Sequence, residues 1–123
     1  MEYLDISLKM TDEDLALRDA AHKFAEKVMR PISIELDHMT PDEVIAEGSP
    51  FWEFMKKAYE LGYHKLLIPE PYGLGLSPFQ THIVFEELGW GSFGLSVQLG
   101  VACFPAFAAC ITGDDKLIEE ITI

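Results

Sequence analysis

The side chains best suited to chemistry are two cysteines, four histidines and a pair of adjacent glutamates. Cys103 and Cys110 lie in a segment with helical character, where a rise of about 1.5 Å per residue separates their Cα atoms by about 10 Å. A disulfide needs a separation of about 4.4–6.8 Å, so the sequence predicts two buried free thiols. Neither cysteine has a second Cys or a His at metal-ligand spacing, and no metal site is predicted. The scattered histidines are His22, His38, His64 and His82.

The adjacent Glu86 and Glu87 could suggest paired carboxylates for acid–base catalysis. Neighbouring residues of a helix point about 100° apart, so these two cannot converge on one bond. We interpret them as ion-pair partners of a neighbouring helix or subunit. His22 falls on the polar side of a predicted helix, and we interpret it as a solvated side chain rather than a ligand. The sequence therefore assigns no catalytic residue.

The composition indicates one globular domain with little affinity for polyanions. The chain has 123 residues, of which 49% are hydrophobic and 24% charged, and its net charge is −12. A chain of this length buries roughly two-thirds of its unfolded surface in one core. The acidic balance, with no cluster of Lys or Arg, argues against nucleic acid or anionic lipid as partners. Residues 1–5 lack the basic flank and apolar run of a secretory signal, so a cytoplasmic location is expected.

Capping signals and helical periodicity predict an all-α fold, a multi-helix bundle with orthogonal or up-down packing. Thr11 is the N-cap of a first helix that ends near Arg30 or continues past Pro31, with a kink, to Leu36. Residues 37–48 are predicted to be a connecting loop because they lack an apolar face. The predicted core positions of the first helix are Leu17, Ala20, Ala21, Phe24, Ala25 and Val28.

Two further helices follow the same rules. Ser49 and Pro50 begin a helix that Gly62 stops, and a capping box at residues 77–80 begins one that ends at Gly89. Between them, residues 66–68 are predicted to be buried coil or an isolated extended piece, and residues 69–76 a loop without the features of a nucleotide cradle. The predicted core positions are Phe51, Phe54, Met55 and Ala58, followed by Thr81, Val84, Phe85 and Leu88.

Residues 93–112 are apolar on almost every side. A membrane span and a buried helix compete as explanations. Gln98, Pro105 and the absence of flanking Lys or Arg favour a helix buried on all faces, which we expect to be the most buried one. Gly113 would end it and Asp114 would cap a last helix over residues 115–121. The apolar positions of that last helix need a partner; they are Leu117, Ile118, Ile121 and, just beyond it, Ile123.

The order of these motifs resembles the N-terminal α-helical domain of the acyl-CoA dehydrogenase family, over about residues 9–121. The order and spacing of the motifs together carry the resemblance; they fall at residues 11–13, 17–19, 24–25, 61–63, 68–73, 85–89 and 112–115. In one departure, Leu74 directly follows Gly73 where the family usually has a second glycine, which makes the loop one residue tighter. The β-barrel and C-terminal helical domains of the family are absent, so residues 1–123 are expected to be a single helical domain, a fragment of a longer enzyme.

The resemblance implies a parent flavoprotein of fatty acid metabolism that removes an α-proton and a β-hydride from an acyl-CoA thioester, with FAD as the acceptor. This domain would wall the acyl pocket and cover the flavin. By position, Val97, Gln98, Val101 and Ala102 are expected to bind substrate, although a plain core of the helix explains these residues equally well. No catalytic or cofactor-binding residue is assigned, and the chain alone is expected to bind no FAD and to be inactive.

Two alternatives remain open. The chain could be a free-standing acidic helical interaction module, or the same domain of a related flavin oxidase or monooxygenase. In each case the apolar faces of the last two helices, including Leu117, Ile118 and Ile121, favour a homo-oligomer.

Overall fold

The structure is a computed structural model that describes residues 9–122, with the side chains of residues 9–121. Residues 1–5, on which the expected location rests, lie outside the described part. The described residues contain no β-strand, so the all-α prediction is confirmed. The α-helices are α1 (Asp12–Phe24), α2 (Arg30–Asp37), α3 (Pro41–Ile45), α4 (Pro50–Glu60), α5 (Pro78–Gly91), α6 (Phe93–Thr112) and α7 (Asp115–Thr122).

Helices α1 and α2 form one long rod joined by a π-helical turn over Ala25–Met29. Thr11 caps α1 in a capping box with Asp14, as predicted. The predicted continuation past Pro31 is also confirmed, because α2 runs to Asp37. The π turn changes the backbone hydrogen-bond pattern just before the proline. The turn brings Met29 fully into the core, a position that 3.6-residue periodicity does not identify. Ala20, a predicted core position in α1, is exposed.

The predicted loop over residues 37–48 is partly wrong, because it contains the short helix α3. Thr40 forms a capping box with Glu43, and Pro41 occupies the first helical position. At the other end of α3, the indole of Trp52 donates hydrogen bonds to two backbone carbonyls. Helix α3 buries no residue, so its end contacts hold it rather than an apolar face.

In the middle of the chain, the helices begin and end close to the residues that the sequence predicts. Helix α4 begins after Ser49 and is followed by Gly62 in the left-handed conformation, with φ of 78°. Leu66 and Ile68 are buried in coil, as predicted. The loop that follows packs so closely that a Cβ on Gly73 would collide with the backbone carbonyl of Ile68. Helix α5 runs two residues beyond its predicted end at Gly89, because Ser92 both closes α5 and caps α6.

The core forms where α1, α4, α5 and one face of α6 meet, around Phe24, Phe54, Leu88 and Leu99. Helix α1 lies along α5, and a short 3₁₀ turn at Tyr63–Lys65 packs against α6. Gly91 passes so close to α1 that a Cβ would stand 2.7 Å from the Cβ of Ala25. The small residues at this crossing therefore allow the end of α5 to approach the π turn.

The prediction that α6 is buried on every face is wrong. One face packs inward, while the opposite face is exposed. The inward residues are Leu95, Ser96, Leu99, Cys103, Ala106 and Ala109. The exposed apolar residues are Phe93, Val97, Val101, Phe104, Phe107 and Ile111. Within the described chain no second layer of helices covers that face, which is why an apolar sequence does not produce a buried helix here.

By length and apolarity α6 could cross a membrane, but about a third of its most apolar stretch is buried in the protein, and core helices of globular proteins meet the same criterion. Helix α7 is capped by Asp114, whose carboxylate accepts hydrogen bonds from the amides of Lys116 and Leu117. Ile118 packs inward, whereas Leu117 and Ile121 stay partly exposed. Ile123 lies outside the described residues.

Candidate functional site

The four predicted substrate residues lie in the first half of α6 but face two different directions. Val97 and Val101 are one turn apart on the exposed face, where 45% and 48% of their surfaces remain accessible. Gln98 and Ala102 follow each of them and are rotated by about 100° around the helix. Gln98 is exposed, so its amide can bond to water and does not need the protein partner that a buried amide requires.

Val97 and Val101 line an apolar groove of about 360 Å³ between α5 and α6, which we call the α5–α6 groove. Gln98 and Ala102 do not contribute to its lining. No lining residue carries a charge, and Ser96 provides the one polar side chain of the described lining. The other lining residues are Phe85 and Gly89 from α5, and Phe93, Gly100 and Phe104 from α6.

Two glycines, Gly89 and Gly100, determine which neighbouring side chains are left uncovered at the floor of the groove. A Cβ on Gly100 would lie 3.6 Å from the nearest carbon of the Phe85 ring, and a Cβ on Gly89 would lie 3.9 Å from Ser96 Oγ. The missing side chains therefore leave part of the Phe85 ring uncovered, whereas Ser96 lines the groove but is buried, with 5% of its surface exposed. Ser96 Oγ donates its proton to the carbonyl of Phe93 at 2.9 Å, which leaves its lone pairs available as acceptors.

Contacts with α1 hold α5 in position, and α5 forms one side of the α5–α6 groove. His22 Nδ1 lies 2.7 Å from Glu87 Oε2, so Glu87 pairs with a neighbouring helix, as predicted. The prediction that His22 is merely solvated is wrong, because its ring also stacks on Trp90 at 4.5 Å between centroids. The guanidinium of Arg30 lies 4.6 Å from the centre of the same indole. Helix periodicity places His22 among polar residues and cannot show that α5 packs there.

Beneath α6, the buried face contacts the 3₁₀ turn. Cys103 Sγ lies 3.1 Å from the carbonyl oxygen of His64, and burial raises the pKa of this thiol. The His64 ring stacks on Tyr59 at 4.1 Å between centroids, its Nδ1 is buried without a hydrogen-bond partner, and burial lowers the pKa of His64. Both cysteines are free, as predicted, although Cys110 is only partly buried. The described residues contain no group of three metal-ligating side chains.

A second apolar groove, of about 460 Å³, lies beside the loop that follows Ile68. Phe107 is its contribution from α6, and none of the four predicted residues lines it. The larger volume is therefore separate from the site that the sequence predicts.

Sequence reasoning missed most of the lining of the α5–α6 groove. Once Val97 is known to face outward, helical spacing identifies the rest of that stripe: Phe93 one turn before, Gly100 and Val101 one turn after, and Phe104 two turns after. The orientation was the missing information, because α6 is apolar on both faces. Phe85 and Gly89 could be identified only from the packing of α5 against α6.

Comparison with known proteins identifies the class. The sequence profile of the acyl-CoA dehydrogenase N-terminal domain matches residues 11–113, and the chain therefore belongs to the acyl-CoA dehydrogenase N-terminal domain family. The chain is 30% identical over 97 residues to the probable medium-chain specific acyl-CoA dehydrogenase 2, mitochondrial, of Caenorhabditis briggsae. That alignment covers 78% of this chain, which spans about a fifth of the relative (21%). No solved structure matches the chain significantly.

Proposed function

We propose that this chain is the N-terminal domain of an FAD-dependent enzyme that dehydrogenates acyl-CoA thioesters, and that the α5–α6 groove is one wall of its acyl pocket. The observation that carries the proposal is the charge-free groove, which lies within the matched part of the chain and contains Val97 and Val101. Of the four residues expected to bind substrate, the proposal keeps Val97 and Val101, which line the groove. It does not include Gln98 and Ala102, which lie outside the lining.

An apolar wall without charges suits the tail of an acyl group. Burial of each methylene contributes about 0.8 kcal/mol, and a charged lining would oppose this gain because its charges would lose hydration. Phe93 and Phe104 stand near the two ends of the groove, eleven residues apart, which corresponds to roughly 16 Å along the helix. A cleft of this length exceeds a single side chain and accommodates an extended apolar group.

The same residues do not fit the charged part of FAD. A dinucleotide needs cations or clustered backbone donors for its diphosphate, and no Lys, Arg or His lines the α5–α6 groove. We therefore assign to this chain no part in holding the phosphates and no step through the flavin. Its residues would bind the acyl tail and exclude water from it, while the remainder of the enzyme would provide flavin binding and the catalytic base. The expected contact between this domain and the flavin remains a prediction.

A domain exchange tests the proposal. Residues 11–113 of this chain replace the matching segment of the Caenorhabditis briggsae relative, and the chimera is purified and mixed with an acyl-CoA. We expect the chimera to retain its flavin absorbance and to be bleached by the substrate. Val101→Asp, which places a charge in the groove, should reduce bleaching at least about tenfold while the flavin stays bound.

The matched control is Ile45→Asp, because Ile45 is an equally apolar side chain, 64% exposed, on α3 and outside the groove. We expect this variant to behave like the unmodified chimera. A chimera that keeps its flavin but responds identically to both substitutions would contradict the assignment of the groove.

A further inference from the structure

The floor of the α5–α6 groove contains an aromatic ring, which an acyl chain of simple methylenes does not require. Gly100 lacks the Cβ that would contact the Phe85 ring at 3.6 Å, so part of the aromatic ring faces the groove uncovered. Gly94, on the same helix, has no atom within 4 Å of its own hypothetical Cβ. The absence of a side chain therefore shapes the groove at Gly100 and has no such effect at Gly94.

An uncovered aromatic ring is a distinctive binding surface. Ring pairs in offset or edge-to-face arrangements gain roughly 0.5–1.5 kcal/mol beyond the burial of their area, a gain that a linear alkyl chain does not obtain. Phe93 and Phe104 add two more rings at the ends of the groove, and both are largely exposed in this domain.

We infer that the α5–α6 groove selects acyl groups that carry an aromatic ring, with Gly100 as the residue that gives the ring access to Phe85. This inference rests on the proposed function, because it assigns the class of acyl group to the same groove. Ser96 Oγ, beside Gly89 in the floor, offers an additional acceptor to a ring that bears a hydroxyl group.

The test compares two thioesters, 4-phenylbutyryl-CoA and decanoyl-CoA, whose acyl groups have equal numbers of carbons. Each is titrated into the full ¹⁵N-labelled 123-residue chain, at a concentration where sedimentation shows it to be monomeric so that no second copy covers the groove. The dissociation constant is obtained from the shifts of groove amides in NMR spectra. Gly100→Ala should weaken binding of the phenyl compound about threefold to tenfold, because the new methyl group covers the Phe85 ring. Binding of decanoyl-CoA should change by less than about twofold, since it makes no ring contact.

Gly94→Ala is the matched control. It makes the same substitution in the same helix, in open space, and should leave both dissociation constants unchanged. Both alanines favour the helix, so an unfolded variant is not expected, and the amide spectrum verifies this directly.

The outcomes distinguish a failure of the aromatic preference from a failure of the proposed acyl pocket. If both thioesters shift the groove amides and Gly100→Ala affects them equally, the aromatic preference is wrong and the acyl pocket stands. If neither thioester shifts those amides in the unmodified chain, the proposed function fails at this groove.

Discussion

The two faces of α6 are equally apolar in sequence but have opposite surroundings. Leu95, Leu99 and Cys103 are covered by the core, whereas Val97 and Val101, on the same turns, remain about half exposed. Apolar character therefore identifies a residue that can be buried and does not identify what buries it. The inward face serves the stability of this domain, and the outward face is available to a ligand or another protein surface.

The neighbours of each face explain the difference. Helix α5 and the 3₁₀ turn pack against α6, and the inward residues of α6 belong to the hydrophobic core. Along the α5–α6 groove, α5 borders the outward face, and Gly89 and Gly100 have no side chains to fill that border. Substitutions on the two faces should therefore have different consequences, even where the residues are chemically alike.

The largest expected effect is on the free energy of unfolding. Leu99→Ala removes a fully buried side chain and should destabilise the protein by about 2–5 kcal/mol, because it leaves a cavity in a packed core. Val97→Ala on the outward face should change the free energy of unfolding by less than about 0.5 kcal/mol. Urea denaturation followed by circular dichroism, at a concentration where the chain is monomeric, measures both. Similar losses would mean that other parts of the same chain cover the outward face in solution.

Local signals in the sequence predicted most of the fold. Thr11, Ser49, Ser77 and Asp114 cap helices at the predicted residues, because a cap is a contact among near neighbours in the chain. The failures have non-local causes. The π turn that carries Met29 packs against α5, and Gly91 at the end of α5 lies close to Ala25 of that turn.

The lining of the groove was only partly predicted for the same reason. Val97 and Val101 line it and Gln98 and Ala102 do not, because a helix that is apolar on both faces offers no internal sign of its orientation. Binding of substrate by any of the four stays a prediction. The glycines of the floor have no periodic signal. Gly100 becomes informative only when Phe85, on a different helix, is seen opposite it.

The second prediction compares the two thiols of α6. Cys103 faces the core and its pKa is raised by burial, whereas Cys110 is partly exposed. Because the thiolate is the reactive form and a buried site must open before it reacts, Cys103 should react at least about 100-fold more slowly with a thiol-specific reagent. Kinetics of the Cys110→Ser variant isolate Cys103, and Cys103→Ser provides the reverse comparison. Equal rates would show that the inward face of α6 opens freely.

The third prediction concerns association through the outward face. The net charge of −12 opposes contact between copies, but salt screens it beyond about 8–10 Å, whereas burial of an apolar face acts at contact. We expect the 123-residue chain to form a dimer or higher oligomer. Phe104→Asp should weaken its association at least about tenfold in sedimentation experiments, since the substitution places a charge within that face.

Ile45→Asp is the control for association, because Ile45 is 64% exposed on α3 and the surface pocket that it lines contains no residue of α6 or α7. Leu117 and Ile121 continue the exposed surface on α7, but Ile118 packs inward, so its replacement would test folding instead. A chain that stays monomeric at high micromolar concentration, or an equal response to both aspartates, would remove the outward face as the interface.

The smallest expected effect is a pH dependence of the free energy of unfolding, which arises where the inward face of α6 packs on the 3₁₀ turn. His64 lies in the 3₁₀ turn against α6, and burial, followed by the positive charge of Lys65, lowers its pKa from the ordinary value of 6.5. The folded protein therefore favours the neutral ring. The contribution of His64 to stability should be complete above about pH 6.5 and should decline as the pH falls from there towards the lowered pKa.

His64→Phe tests this sign. Phenylalanine keeps an aromatic ring beside Tyr59 but cannot be protonated, and Nδ1 makes no hydrogen bond that would be lost. Between about pH 7 and pH 5.5 the urea midpoint of the unmodified protein should fall further than that of the variant, because ordinary carboxylates titrate lower and the remaining histidines are common to both. The difference should be small, since the ring is only partly buried. Parallel pH profiles would show that protonation of His64 does not disturb the packing of the turn on α6, and would restrict the role of this face to apolar burial.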